Sequence, residues 1–156
     1  MLDGIRHIVQ ALRESSRLAE RHVGLSGAQL FVLQQLADVK TASVGELARR
    51  THTHQSSVSV VVTKLVAQGL VSRKRSGEYA RSVVLSLSAA GRRLAARGPD
   101  VAQERLIRAI EALSAARRTA LASTLTELAR AIDQTDRAPV MFFEEATRGT
   151  RRRANG

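Results

Sequence analysis

The chain has 156 residues, 44% of them hydrophobic but only 3% aromatic, enough to bury one core of ordinary domain size built from Leu, Val, Ile and Ala. Lys and Arg number 25 against 14 Asp and Glu, a formal charge of +11, so the expected partners are anionic. Cysteine is absent, which removes disulfides, thiol catalysis and thiol redox sensing together; no signal-peptide core or apolar run of bilayer length is present, so a soluble, cytoplasmic protein with no membrane partner is expected.

Residues 2–22 carry Ile5, Val9, Leu12 and Ala19 at helical spacing, with Ile8 and Leu18 beside them, and Gly24 ends that helix. Ser26 with Gln29 three residues on is a capping box opening the next helix, whose Leu30, Phe31, Val32, Leu33, Leu36 and Ala37 are apolar almost all round, as expected of the buried centre. Residues 38–42 read as a short connection. Ser43 and Glu46 form a second capping box, before a short helix that gathers Val44, Leu47 and Ala48 on one face and stops at Arg49-Arg50. After a turn through Thr51–Thr53, a further helix buries Val58, Val61, Val62 and Leu65 and ends at Gly69. Its other face holds Gln55, Ser56, Ser59, Val60, Thr63 and Lys64, mostly small and polar side chains that can enter a major groove without filling it.

The period then changes from helix to strand. Residues 70–75 and 81–87 pair as a hairpin turning at Ser76-Gly77, with Val83, Leu85 and Leu87 alternating with Ser82, Val84 and Ser86. Arg73, Lys74, Arg75 and Arg81 crowd around this hairpin, where they repel one another unless a polyanion neutralises them. Between Ser43 and Gly91 seven Lys or Arg face two Glu, so much of the excess charge lies here. A basic hairpin directly after two helices joined by a turn reads as a winged helix-turn-helix, in a protein otherwise mainly α.

Beyond the hairpin, Ser88 caps a helix that Gly98-Pro99 should break, because Pro99 has no N–H and crowds the preceding turn. Helix is expected to resume from Asp100 with Leu106, Ile107, Ile110 and Leu113 as its stripe. Ser114 caps a last helix with Leu121, Leu125, Leu128 and Ile132 close to a coiled-coil seam; these last two helices should form an antiparallel pair. Pro139 ends the pattern. A short apolar patch, Val140 to Phe143, and a basic tail follow; fraying is the expectation, docking of the patch the alternative.

The run SSVSVVVTKLVAQGLVSRKR, the LSAAG run at Leu87–Gly91 that leads out of the hairpin and the Leu113-Ser114 pair together resemble the multiple-antibiotic-resistance regulator (MarR) family of bacterial transcription factors, over about residues 3–137. That resemblance implies one domain over 1–138, with its DNA-binding part at 26–91, dimerisation helices at 2–22 and 88–137, and a tail at 139–156. It also implies a homodimer joined through Ile5, Val9, Leu12, Leu121, Leu125, Leu128 and Ile132, whose partner is double-stranded DNA with an inverted-repeat operator. Gln55, Ser56, Ser59, Val60, Thr63 and Lys64 would lie in the groove, and Arg73, Lys74, Arg75 and Arg81 on the backbone or minor groove. Release by a small aromatic or anionic effector is a further implication, with Arg6, Arg13 and Arg17 of the first helix as candidate anion partners. The family's wing usually carries Asp-x-Arg; here its Arg falls on Arg81, Tyr79 holds the Asp position, and Glu78 is the adjacent carboxylate.

Other chemistries find little support. His52 and His54 lie two apart in a turn, and His7 and His22 fifteen apart, so no pair has the helical spacing that turns two imidazoles to one metal, and no metal or other cofactor is expected. The two turn histidines read instead as polar residues close to phosphate. A Gly-rich phosphate loop and a Ser-His-Asp ordering are both missing, so an enzyme is not expected. The rival from a different class is a basic architectural or RNA-binding protein without operator specificity.

Overall fold

A computed structural model describes residues 2–76, 82–132 and 141–142. In chain order the elements are α1 (Leu2–Val23), α2 (Gly27–Val39), β1 (Thr41–Ala42), α3 (Val44–Arg50), α4 (Gln55–Ala67), β2 (Val71–Ser76), β3 (Ser82–Leu87), α5 (Ala89–Arg97), α6 (Ala102–Glu111) and α7 (Ala115–Ile132). The protein is mainly α with one small antiparallel sheet in the order β1-β3-β2.

The capping residues read from sequence set the helix starts. At α2 both halves of the box are made, Gln29 N–H donating to Ser26 Oγ and Ser26 N–H to Gln29 Oε1. Ser43 Oγ accepts from Glu46 N–H at 3.1 Å, and Ser88 Oγ from Gly91 N–H at 3.0 Å. Helix α2 is the centre of the core, with Leu30, Phe31, Val32, Leu33 and Leu36 all buried; α4 contributes Val58, Val61, Val62 and Leu65, and the sheet Val71, Leu85 and Leu87. Gly69 closes α4 at φ +68°, a left-handed conformation that a side chain would strain. Gly91 lets α5 pass against the wing, since a Cβ there would run into the Leu70 carbonyl oxygen.

The break before α6 falls at Gly98-Pro99 as expected, but helix resumes at Ala102, with Val101 as its N-cap and no side-chain cap of its own. The missing cap comes from elsewhere. Ser15 Oγ on α1 accepts from the buried Ala102 N–H at 2.9 Å, and its neighbour Ser16 Oγ accepts from Gly27 N–H at 3.1 Å. Two adjacent hydroxyls of α1 thus satisfy the first amides of two other helices, and Gln34 Nε2 donates to the Pro99 carbonyl at the break. Removing one of these acceptors strands a buried donor, so Ser15→Ala should lower unfolding stability by about 1–3 kcal/mol, read as a shifted urea midpoint at constant slope.

Four features differ from the sequence reading. Residues 41–42, expected as plain connection, form β1, pairing Thr41 with Ser86 and Ala42 with Leu85. The expected antiparallel pairing of the last two helices is not made: Arg118 Nη1 donates to the Glu111 and Leu113 carbonyls at the corner, but beyond it α7 diverges and buries none of its residues. An apolar seam needs a facing seam, and α6 spends its stripe on the body, where Ile107 packs against the core. Leu12, placed with the dimerisation residues, is buried within this chain at 3% exposure. Finally Met141, in the segment expected to fray, is buried in the core cluster, and Gln103 Nε2 donates to the Phe142 carbonyl. None of the described helices is long and apolar enough to cross a membrane.

Candidate nucleic-acid interface

Helix α4 is divided lengthwise. Ser57, Val58, Val61, Val62 and Leu65 face the core, while Gln55, Ser56, Val60 and Thr63 are exposed and Ser59 and Lys64 half-buried. Ser59, Val60, Thr63 and Lys64 together line a shallow hollow on the outer face. Val60 is 43% exposed, a branched apolar group at the middle of a polar face, suited to a thymine methyl in the groove. The Gln55 amide lies over α3, where a Cβ at Gly45 would come within 3.6 Å of Gln55 Oε1. The backbone carbonyl of His54 starts the helix by accepting from Ser57 and Val58 N–H; its imidazole makes no cap bond. The helix dipole at this end of α4 favours an anion.

A side-chain bond that spacing alone does not reveal ties the wing to α4. Arg73 Nη2 donates to Thr63 Oγ1 at 3.0 Å, and Thr63 Oγ1 donates in turn to the Ser59 carbonyl at 2.8 Å. Thr63 is thereby a strut between helix and wing as well as part of the outer face. The register places Arg73 opposite Leu85 and Arg75 opposite Val83 on one side of the hairpin, with Lys74 opposite Val84 on the other. Arg73, Lys74 and Arg75 are exposed, and no carboxylate among the described residues pairs with them. Arg81, Tyr79, Glu78 and the Gly77 turn lie outside the described residues.

The two turn histidines part company. His52 takes a left-handed conformation, φ +49°, and its Nε2 stands 3.3 Å from Glu111 Oε1 at the end of α6. The pair is exposed on both sides and contributes little stability. It does tie the turn that enters α4 to the helix that leads into α7. A cavity of about 340 Å³ lies at the same joint, lined by Phe31, His52, His54, Leu106, Ile110 and Met141 among others. Sequence reasoning missed Glu111, Ser15, Ser16 and the Arg73–Thr63 bond. Among the described residues no group of His, Asp and Glu is arranged to hold a metal ion.

The remaining predicted residues lie on the outer helices. Ile5, Ile8 and Val9 of α1 are exposed, as are Leu125, Leu128 and, at 85%, Ile132 of α7; Leu121 is half-buried. Arg13 and Arg17 are exposed, and Arg6 pairs with Asp3 at 2.7 Å on the surface.

The arrangement has known counterparts. A family model described as the MarR family matches residues 23–82, from the end of α1 to the start of β3. Among solved structures, a probable transcriptional regulator from Pseudomonas aeruginosa is similar at 27% identity and a TM-score of 0.52, over 76% of this chain and 91% of that one. A MepR-like protein complexed with pseudoligands shares the fold at 20% identity and a TM-score of 0.55, over 85% and 96%. A mutant MarR from E. coli complexed with operator DNA shares it at 19% and 0.53, over 81% and 92%. No curated protein matches by sequence. Residues 23–82 thus resemble the MarR family, and the chain has the winged-helix fold that those solved structures share.

Proposed function

We propose that the chain is a homodimeric, sequence-specific DNA-binding transcriptional regulator, a repressor released by a small-molecule effector. The observation that carries the reading is the pairing of an outward face on α4, small and polar around Val60, with a wing whose Arg73, Lys74 and Arg75 have no carboxylate partner among the described residues. Groove-facing side chains discriminate bases, while wing cations neutralise phosphates and fix the register. The likeness to a MarR structure holding operator DNA supports the same reading.

The dimer follows from apolar surface. Exposed Ile5, Ile8 and Val9 on α1, and Leu125, Leu128 and Ile132 on α7, are large side chains in rows on two helices, and a second copy covers them by symmetry. Two recognition helices related by a two-fold axis read an inverted repeat with half-sites about 34–36 Å apart. Selection of bound sequences from a random duplex pool should therefore return a site with dyad symmetry; a pool with no symmetric element would refute the geometry.

The cavity between α6 and the α3–α4 turn is the proposed effector site. Its walls combine the rings and branched chains of Phe31, Leu106, Ile107 and Ile110 with the imidazoles of His52 and His54, a lining suited to an aromatic carboxylate. A ligand there bears on the turn entering α4 and on α6 together. It lowers operator affinity only by favouring a dimer whose recognition helices are wrongly spaced. Titrating aromatic carboxylates into the preformed operator complex tests this, and the MepR-like neighbour with its pseudoligands supports the reading.

A further inference from the structure

The middle of the outer face of α4 is short of hydrogen-bonding groups. Val60 stands there 43% exposed, with Ser59, Thr63 and Lys64 around it in one shallow hollow. The Thr63 hydroxyl donates its proton to the Ser59 carbonyl at 2.8 Å, and one of its lone pairs accepts from Arg73 Nη2 at 3.0 Å. Exposed Thr63 therefore has no proton left for a base acceptor, and what it can still offer a base edge is chiefly its methyl. Val60 and Thr63 stand at i and i+3 on one helix, so isopropyl and methyl are neighbours. The side chains that read purines through paired hydrogen bonds, Arg or Lys on guanine and Asn or Gln on adenine, do not occur at positions 59, 60 and 63.

We propose that Val60, with the Thr63 methyl beside it, seats the C5 methyl group of one pyrimidine in each half-site, so that α4 reads thymine or 5-methylcytosine there and discriminates against uracil and cytosine. The inference rests on the DNA-binding reading above and deepens it by naming the chemical group that the helix recognises. In the major groove the C5 methyl is the apolar feature of a base edge, and an apolar side chain is its complement. Against polar edges alone an exposed valine would lose water without a matching surface; against a methyl both groups leave water together. The wing holds the hollow in place. The Arg73–Thr63 bond ties it to a strand whose Arg73, Lys74 and Arg75 have no carboxylate partner among the described residues, so the phosphates that these cations seat set where Val60 meets the bases. Thymine O4 is an acceptor and the cytosine N4 amine a donor, and the neighbouring Ser59 hydroxyl can serve either. The methyl, rather than the hydrogen-bonding edge, is then what this position reads.

The test removes that one group from the DNA. In the site that the chain selects from a random duplex pool, each thymine is replaced by deoxyuridine, in both half-sites together, and affinity is measured at fixed salt. A buried methyl at about 0.8 kcal/mol corresponds to about fourfold, so one position should lose about fourfold per half-site and on the order of fifteenfold for the dimer. Val60→Ala, a change on the surface that leaves the core intact, should bind the thymine site more weakly than the parent does and hold the thymine and uracil sites within about twofold of each other. At the same position, cytosine and 5-methylcytosine opposite guanine distinguish the two sources of the methyl: the parent should favour the methylated base by a similar factor, and Val60→Ala should not. A site in which every thymine tolerates uracil would overturn the proposal. So would a thymine preference that persists in Val60→Ala, since it would belong to duplex shape instead of contact. A parent that favours thymine over uracil but binds cytosine and 5-methylcytosine equally would overturn the claim that the methyl alone is read. A parent that binds no duplex would overturn the DNA-binding reading and this inference with it.

Discussion

Replacing Leu125 and Leu128 with Asp should convert the dimer to a folded monomer at micromolar concentration, read by sedimentation, with helical content and unfolding midpoint unchanged. Both side chains are about half exposed within one chain, so nothing in its own core depends on them. Full burial of an exposed leucine is worth about 1.5–3 kcal/mol, and each of these has about half of that left to gain, so two leucines on each of two protomers sum to roughly 3–6 kcal/mol. A micromolar dissociation constant corresponds to about 8 kcal/mol, so the loss is a large share of the association energy before the cost of facing carboxylates is added. Operator binding should fall with it, since a monomer reads one half-site. A variant that sediments as the parent does would exclude α7 from the interface.

A comparable loss is expected at the wing. Arg73→Glu, Lys74→Glu and Arg75→Glu together remove three cations that have no carboxylate partner among the described residues and replace them with charges that phosphate repels. Counted over two protomers the change reaches about six phosphate contacts, for which affinity should drop on the order of a thousandfold at about 0.1 M salt, measured by fluorescence anisotropy on a labelled operator. Arg73→Glu also breaks the bond to Thr63 Oγ1, so the wing loses its strut to α4. A loss below tenfold would mean that the wing does not touch the backbone. The neighbouring cations Arg92 and Arg93 provide the contrast, because Arg92 Nη1 donates to the Leu87 carbonyl within the fold.

What the sequence made legible was local. Serine caps at 26, 43 and 88 are chemical signatures spanning three residues, and the stripe Val58, Val61, Val62, Leu65 spans two helical turns; both survive because the forces that create them act between near neighbours. The outer face of α4 was legible for the same reason, as the complement of that stripe. What could not be read lies between residues far apart in the chain. Ser15 and Ala102 are separated by 87 positions, His52 and Glu111 by 59, and Gln103 and Phe142 by 39, and no periodicity reports such pairs. Arg73 and Thr63 are only ten apart, yet they sit on a strand and a helix, whose relative placement a one-dimensional pattern does not contain. The seam on α7 was visible as a seam, but a period of apolar residues does not say which surface faces it. Among the described residues of one chain nothing buries that seam, and the proposed second copy would supply its partner.

The joint around His52 links these parts. The turn entering α4, the end of α6 and the Met141–Phe142 segment meet there, so in the proposed dimer this joint is the route by which a change in packing would reach α4. Operator affinity, dimer geometry and effector occupancy would then report on one two-state element.

The central claim is specificity, and competition at fixed salt tests it most directly. The dimer is titrated with its selected inverted repeat and, separately, with a scrambled duplex of the same length and composition at about 0.15 M salt. A regulator reading bases through α4 should prefer the inverted repeat by about a thousandfold or more. A ratio near one, with strong salt dependence on both duplexes, would contradict the account and leave a basic architectural protein that binds nucleic acid by charge alone.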